Sequence, residues 1–426
     1  MLVILLMVFL LLLCIGIPIG MGIGIASLVA LLYQGAFPLT IIPHKMANGV
    51  NSFPLVAVPL FILTGALAGE TGLAKRLVRF ADVLVGHIRG GLGHANVVGA
   101  MFFGGISGSA VADAAAIGSL LIPAMEKEGY APEDAGAITA CSSTTGILIP
   151  PSIPMVLYGV TMGISIGELF VAGVLPGVLV GFLLMSAVYV LAKKKGWPKR
   201  AKRAPACEIW SAFKDAYLAL LLPVFLLGAI AFGITTATEA GVIGIVYSLF
   251  VGGVIYKEYR VSELYNIVVD SAINTAVPCF IVATTSVSAW IVAMERFPDA
   301  LVAFLYSFDV GAVVILLAVN IFLLIVGMFM DLVPALILFA PILYPVVIKA
   351  GVTPIQFGVI LTVNLGIGLV TPPVGNCLYV AATLSRANLP KMIKAVLPFL
   401  LMNIIALMFV TYVPFFSTFL PSFFYK

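Results

Sequence analysis

The chain has 426 residues, of which 62% are hydrophobic and only 9% charged. Soluble domains carry roughly 25% charged side chains, so 22 basic and 18 acidic residues cannot cover a globule of this length. That excludes a cytosolic enzyme, a nucleic-acid binder and a disordered chain, and leaves an all-α polytopic membrane protein. Apolar runs of about 17–25 residues suit helices that cross a hydrocarbon core of roughly 30 Å. The alternating segments of about ten residues that would build a β-barrel do not occur in the sequence.

Residues 1–33 form the first apolar stretch. It continues past Pro18 without a small-residue cleavage site, so it reads as membrane helix and not as a cleaved signal. Gly16-Ile17-Pro18 divides it into two short spans. From Gly93 the chain reaches the polar run Gly104-Gly105-Ile106-Ser107-Gly108-Ser109 and returns as helix towards Pro123, ending at Glu126–Gly129. Two short helices joined by a polar tip predict a re-entrant hairpin over about 93–128. Pro132 then opens an apolar helix that is interrupted from Ser142 to Pro150-Pro151, a broken helix over about 132–160. Each proline removes an amide donor and obstructs the preceding turn.

The longest hydrophilic stretch, residues 193–210, carries Lys193-Lys194-Lys195 and Lys199-Arg200-Ala201-Lys202-Arg203. With a net charge of only +4, it reads as an inner-leaflet anchor and not as a nucleic-acid site. In the second half a hairpin is expected over about 310–347 and a broken helix over about 354–383, interrupted from Asn364 to Thr371-Pro372-Pro373. The five cysteines, Cys14, Cys141, Cys207, Cys279 and Cys377, form no CxxC pair, and neither a disulfide nor a bound metal is expected.

The two halves repeat. Asp113 and Pro123 recur as Asp331 and Pro341, 218 residues on. Gly129, Pro132, Gly146 and Pro150-Pro151 recur as Gly351, Pro354, Gly368 and Pro372-Pro373, 222 residues on. The change of offset implies a four-residue insertion, and places Gly327 where the first tip has Ser109. Repeat one therefore covers residues 1–192 and repeat two 211–426. With five crossings per half and the amino terminus outside, 18 of the 22 basic residues fall on the inside. An odd number of crossings makes the repeats inverted and puts both termini outside.

Irregular backbone at membrane depth is tolerated where it is buried in protein or lines a water-filled cavity. Two proline breaks at equivalent positions, each paired with a polar hairpin tip, point to a binding site of the kind that inverted-repeat transporters place at broken helices. Two rivals are weaker. Gly105-Ile106-Ser107-Gly108 matches the GxSG of rhomboid proteases, but His44, His87 and His94 all precede the serine, whereas that chemistry needs a later histidine. A channel is the other, and the proline-broken helices favour a gated site over a pore.

Gly105-Ile-Ser-Gly-Ser-Ala-Val-Ala-Asp113, Gly146-Ile-Leu-Ile-Pro-Pro-Ser152 and Thr371-Pro-Pro-Val-Gly-Asn376 resemble the signatures of the large membrane subunit of tripartite ATP-independent periplasmic (TRAP) transporters. The resemblance covers nearly the whole chain and leans to the sialic-acid branch. It implies a sodium-driven importer in the bacterial inner membrane, and an elevator mechanism in which hairpins and broken helices slide against the remaining helices. It also implies two partners, a small four-helix membrane subunit and a periplasmic substrate-binding protein. Some members fuse the two membrane subunits. This sequence opens on the large one, so a separate small subunit is expected. No cofactor is expected beyond the coupling sodium ions.

Sodium takes oxygen ligands, which unwound carbonyls and hydroxyls supply. A first sodium site is expected among Ser107, Ser109, Gly146, Ile149 and Pro151, and a second among Gly327, Gly368, Thr371 and Pro373. Asp113 and Asp331 are carboxylates in apolar runs, costly enough to imply function. Each also suits a cap on the returning helix, and the two roles are compatible. Helix amino termini hold a carboxylate without a buried cation, so the substrate is expected to be an organic acid, a C4-dicarboxylate or an acidic sugar. Thr145, Ser152, Asn364 and Asn376 are candidates for its hydroxyls. Glu168, Glu239 and Asp270 are read as helix-end or subunit-contact residues.

The charge count yields a direct test. Topology reporters fused at residue 200 and at the carboxy terminus are expected to give opposite signals, cytoplasmic and periplasmic. Equal signals would remove the inverted arrangement.

Overall fold

In a computed structural model the chain is described at residues 1–199, 203–258, 261–308 and 310–425. Of the basic residues counted above, Arg200, Lys202, Arg260 and Lys426 lie outside the described residues. Among those described, all regular structure is helical.

The first half runs α1 (Leu2–Cys14), α2 (Ile19–Gln34), α3 (Ile41–Val50), α4 (Ala57–Glu70), α5 (Leu73–Val85), α6 (Gly91–Ser107), α7 (Ala110–Lys127), α8 (Pro132–Ser143), α9 (Ile153–Met162) and α10 (Ile166–Lys195). The second half runs α11 (Ala206–Ala231), α12 (Ala237–Phe250), α13 (Val261–Met294), α14 (Phe297–Tyr306), α15 (Ala312–Phe329), α16 (Leu332–Lys349), α17 (Pro354–Gly368), α18 (Asn376–Ser385), α19 (Leu389–Tyr412) and α20 (Phe415–Phe424). Among the described residues, eight helical segments are long and apolar enough to cross a membrane. Residues 1–33 contain two helices that pack on each other, and Pro18 precedes the second. The first, with 13 residues, measures about 20 Å, short of the roughly 30 Å core.

Local chemistry sets the boundaries. Pro132 and Pro354 each open a helix, where the missing amide costs nothing. Thr353 caps α17 by accepting the amide of Gln356 at 3.2 Å. Glu168 and Glu239 both lie in first turns, and Glu239 forms a reciprocal cap with Thr236. Asp270 is exposed along α13.

The helices correct the register read from the sequence. α7 and α16 both have 18 residues, and both their starts and their ends lie 222 residues apart. One offset therefore serves the hairpins as well as the broken helices, and no four-residue insertion is needed. Pro123 corresponds to Pro345, not Pro341. Asp331, immediately before α16, corresponds to Ser109, immediately before α7, and Asp113 stands inside its helix.

The two broken helices form the centre of the molecule. α8 is buried from Asp134 to Ser143, and α17 from Gln356 to Gly368. They run antiparallel. The start of α8 meets the end of α18, where Gly136 faces Ser385. In the middle Gly366 lies against Ile147. At the far end the Tyr158 hydroxyl of α9 donates to the Pro354 carbonyl at 2.8 Å, and its ring covers Gly358. The hairpins α6–α7 and α15–α16 and the long helices α10 and α19 pack around this pair, while α2, α3, α4, α11, α12 and α13 form an outer group. Amphipathic α5 joins the two groups. Leu73, Leu77 and Phe80 face inwards, and Arg76 and Arg79 pair with Glu258 at 2.7 Å and Asp215 at 2.5 Å.

Candidate functional site

The first half brings its predicted site residues together. Gly108, at the tip of the hairpin, has φ +63, a conformation side-chain-bearing residues rarely adopt. A Cβ there would come within 2.6 Å of the Pro151 carbonyl oxygen. The Ile153 amide donates to the Gly108 carbonyl at 3.3 Å. The tip Ser107–Ser109 is thus seated on the interruption between α8 and α9. That interruption is a 3-10 turn, Thr144–Ile147, followed by irregular backbone with a cis Pro150–Pro151 bond.

One turn below the tip, α6 crosses the interruption at two residues without side chains. A Cβ on Gly104 would overlap the Cα of Gly146, and one on Gly146 would overlap the Asp113 carboxylate. A polar clamp lies lower still. Asn96 donates to Thr139 Oγ1 at 2.7 Å and accepts from the Ser142 hydroxyl at 2.6 Å. Gly104 and Asn96 were not singled out from the sequence. The repeat did not mark Gly104, because Val326 stands 222 residues on and the glycine that meets Gly368 is Gly327, one place further.

Asp113 is fully buried. The Ser107 hydroxyl donates to its Oδ1, while Oδ2, lying against Gly104 and Gly146, has no hydrogen-bond partner among the described residues. Asp113 is not the helix cap. Ser109 takes that role, its Oγ accepting the Ala112 amide at 3.4 Å. A buried carboxylate with one open oxygen is expensive unless a cation or a proton completes it. Gly146 and Gly104 thus lie against the Asp113 carboxylate and Ser107 bonds it, while Ser109 bonds Ser107, Pro151 meets Gly108 and Ile149 lies beside Gly105 at the same hairpin tip. Thr145 and Ser152 are used locally. The Thr145 hydroxyl donates to the Ser142 carbonyl at 2.7 Å. Ser152 caps α9 through the Met155 amide at 3.3 Å and donates to the Ile147 carbonyl at 2.5 Å.

The second half has the same plan with different groups. Gly327 belongs to the crossing and not to the tip. A Cβ on it would stand 3.3 Å from the Cα of Gly368, the counterpart of Gly104 on Gly146. The Val374 amide donates to the Met328 carbonyl at 3.2 Å, which seats this tip on its interruption. Asp331 accepts from Asn376 at 2.8 Å. Asn364 donates to the carbonyl and to Oδ1 of Asn320, both at 3.0 Å, and its own buried Oδ1 has no partner among the described residues. The Thr371 hydroxyl donates to the Ile367 carbonyl at 2.7 Å, and the Pro373 carbonyl accepts the Tyr379 hydroxyl at 3.0 Å. Asn364 is thus a clamp in the position of Ser142.

Comparison with known proteins adds to this geometry. A family model described as "Tripartite ATP-independent periplasmic transporter, DctM component" matches residues 6–416. The chain is 38% identical over 401 residues to the sialic acid TRAP transporter large permease protein SiaM of Vibrio cholerae, covering 93% of each chain. It is 39% identical over 379 residues to the C4-dicarboxylate TRAP transporter large permease protein DctM of Pseudomonas aeruginosa, covering 89% of this chain and 88% of that protein. It is 38% identical over 390 residues to the isethionate TRAP transporter permease protein DctMQ of Oleidesulfovibrio alaskensis. That match covers 92% of this chain but only 61% of the longer relative. Among solved structures, the YdaH transporter of Alcanivorax borkumensis aligns at TM-score 0.58, covering 89% of this chain and 87% of that one. MtrF of Neisseria gonorrhoeae aligns at 0.60, covering 88% and 83%. Both are 15% identical and speak to the fold alone.

The two crossings differ in tightness, which sets an expectation. Gly104→Ala and Gly146→Ala overlap backbone or carboxylate, and each should destabilise by about 1–3 kcal/mol. Gly327→Ala, with 3.3 Å available, should cost less. Thermal unfolding of the purified variants, followed by size-exclusion fluorescence, checks the order, and equal midpoints would contradict it.

Proposed function

The chain belongs to the tripartite ATP-independent periplasmic transporter family as its DctM component, and on that premise we propose that it imports an organic acid by sodium-coupled secondary transport. The observation that carries this reading is the buried Oδ2 of Asp113 beside Gly146, in a carboxylate that Ser107 bonds and at a hairpin tip that Pro151 and Ile149 touch at Gly108 and Gly105. A sodium ion is the cargo whose charge and oxygen preference suit that acceptor. The second ion goes to the interruption at Gly368, Thr371 and Pro373, with the Asn364 oxygen one turn away.

The substrate is delivered by a periplasmic binding protein to a complex of this chain with a small membrane subunit in the bacterial inner membrane. The names of the relatives support a carboxylate or sulfonate cargo. They span sialic acid, C4-dicarboxylates and isethionate at nearly the same identity, so they do not favour the sialic-acid branch over the others. The antiparallel course of the two broken helices supports the inverted arrangement, and the basic residues of the linker assign both termini to the periplasm. The central group, α6–α10 with α15–α19, is the unit that moves in the elevator step, and α5 and α14 are its arms.

Two experiments test the reading. Uptake into proteoliposomes should need both a sodium gradient and the binding protein. Robust uptake without binding protein would make this an ordinary carrier, and a current without substrate saturation would make it a channel.

Sodium titration of uptake should separate the site residues. Losing a hydrogen bond or ligand to a charged group costs about 1.5–3 kcal/mol, so Asp113→Asn should raise the sodium requirement roughly 10- to 100-fold. Ser109→Ala removes one neutral oxygen worth about 1 kcal/mol, roughly a fivefold rise. Pro151→Ala restores an amide donor and should cost more than Ser109→Ala. Wild-type sodium dependence in all three would move the ion elsewhere.

A further inference from the structure

A cleft of about 700 Å³ opens between the second hairpin, α15–α16, and the outer helices α1, α13 and α14. Phe9 of α1, Leu301 of α14, Val319 of α15 and Phe339 of α16 represent its walls. Ser288 is the one polar side chain in the lining, and its hydroxyl already donates to the Thr285 carbonyl at 3.0 Å. Leu6, Leu10, Phe322, Ile325 and Phe329 line the cleft and are also exposed on the outside of the molecule. The cleft therefore opens sideways, to whatever surrounds the apolar helices.

Three occupants can be weighed physically. Water needs two to four polar partners, and the lining offers one hydroxyl that is already bonded. A membrane-spanning helix about 10 Å wide and 30 Å long fills roughly 2,400 Å³, more than the 1930 Å³ of empty space in the cleft and its mouth together. A sixteen-carbon chain, at roughly 30 Å³ per carbon (the share of one water in the liquid), needs about 480 Å³. We propose that this cleft is a lipid-binding site holding one acyl chain of a membrane phospholipid. The chain lies between the second hairpin and the outer helices and reaches Met330, the residue before Asp331. It supplies the contacts that a dry space of this size would forfeit, and it gives the hairpin a slippery and replaceable neighbour in place of a fixed side chain.

The test uses a chain whose three tryptophans are replaced by phenylalanine, carrying either Leu301→Trp in the cleft or Val246→Trp on α12. Val246 is 60% exposed and serves as the bulk-lipid reference. Each is placed in nanodiscs of phospholipid brominated along its tails, with and without the small membrane subunit. Both tryptophans should be quenched in the disc. After dilution into detergent, Leu301→Trp should keep at least half of its quenching while Val246→Trp loses it. Loss at the same rate would overturn the proposal, and so would relief of the quenching at Leu301→Trp when the small subunit is added, which would give the cleft to that partner. A second measurement is independent of the probe. Ala318→Phe, at an exposed lining residue, should retain about one phospholipid fewer per chain than wild type after detergent exchange. Equal phospholipid phosphorus in the two proteins would also overturn it.

Discussion

Two glycine-on-glycine crossings are the constraint on which the rest of the site depends. Where α6 passes the first interruption and α15 the second, backbone meets backbone at Gly104–Gly146 and Gly327–Gly368. Only that approach brings a hairpin tip onto irregular backbone and allows the tip to bond it, as Ile153 to Gly108 and Val374 to Met328 do. The polar clamps follow from the same closeness. Asn96 and Asn320 reach the neighbouring helix because the crossing has already brought the helices together. Each buried bond contributes about 1 kcal/mol net, and leaving a partner unsatisfied would cost more.

The repeat copies this frame and changes its chemistry. At the position before the returning helix the first half has Ser109, which caps its helix, and the second has Asp331, which is held by Asn376. The buried open oxygen belongs to a carboxylate, Asp113, in the first half and to an amide, Asn364, in the second. A carboxyl group, which can ionise, and an amide dipole attract a cation with different strengths, so the two halves are related in backbone and unequal in electrostatics.

The class of the molecule, its helical hairpins and its interruptions were legible because proline and glycine act locally. Pro132, Pro150-Pro151 and their counterparts end or start helices whatever surrounds them. The register of the hairpins was not legible. Matching Asp113 to Asp331 gave an offset of 218, and only the equal lengths of α7 and α16 show that Asp331 matches Ser109. An aspartate draws the eye in an apolar run, but its place in a helix depends on where the cap falls. The roles of Ser152 and Asn364 were hidden for a related reason. A hydroxyl or amide near a break can face a ligand or satisfy the backbone beside it, and spacing does not distinguish the two.

The bond from Tyr158 to the Pro354 carbonyl, together with the seating of Gly366 on Ile147 and Gly136 on Ser385, ties the two interrupted helices along their whole shared length. They behave mechanically as one strut with two notches. A shift that opens one notch is carried by the same rod to the other. The two notches are therefore joined by stiffness alone, and a displacement at one would reach the other with no messenger helix between them.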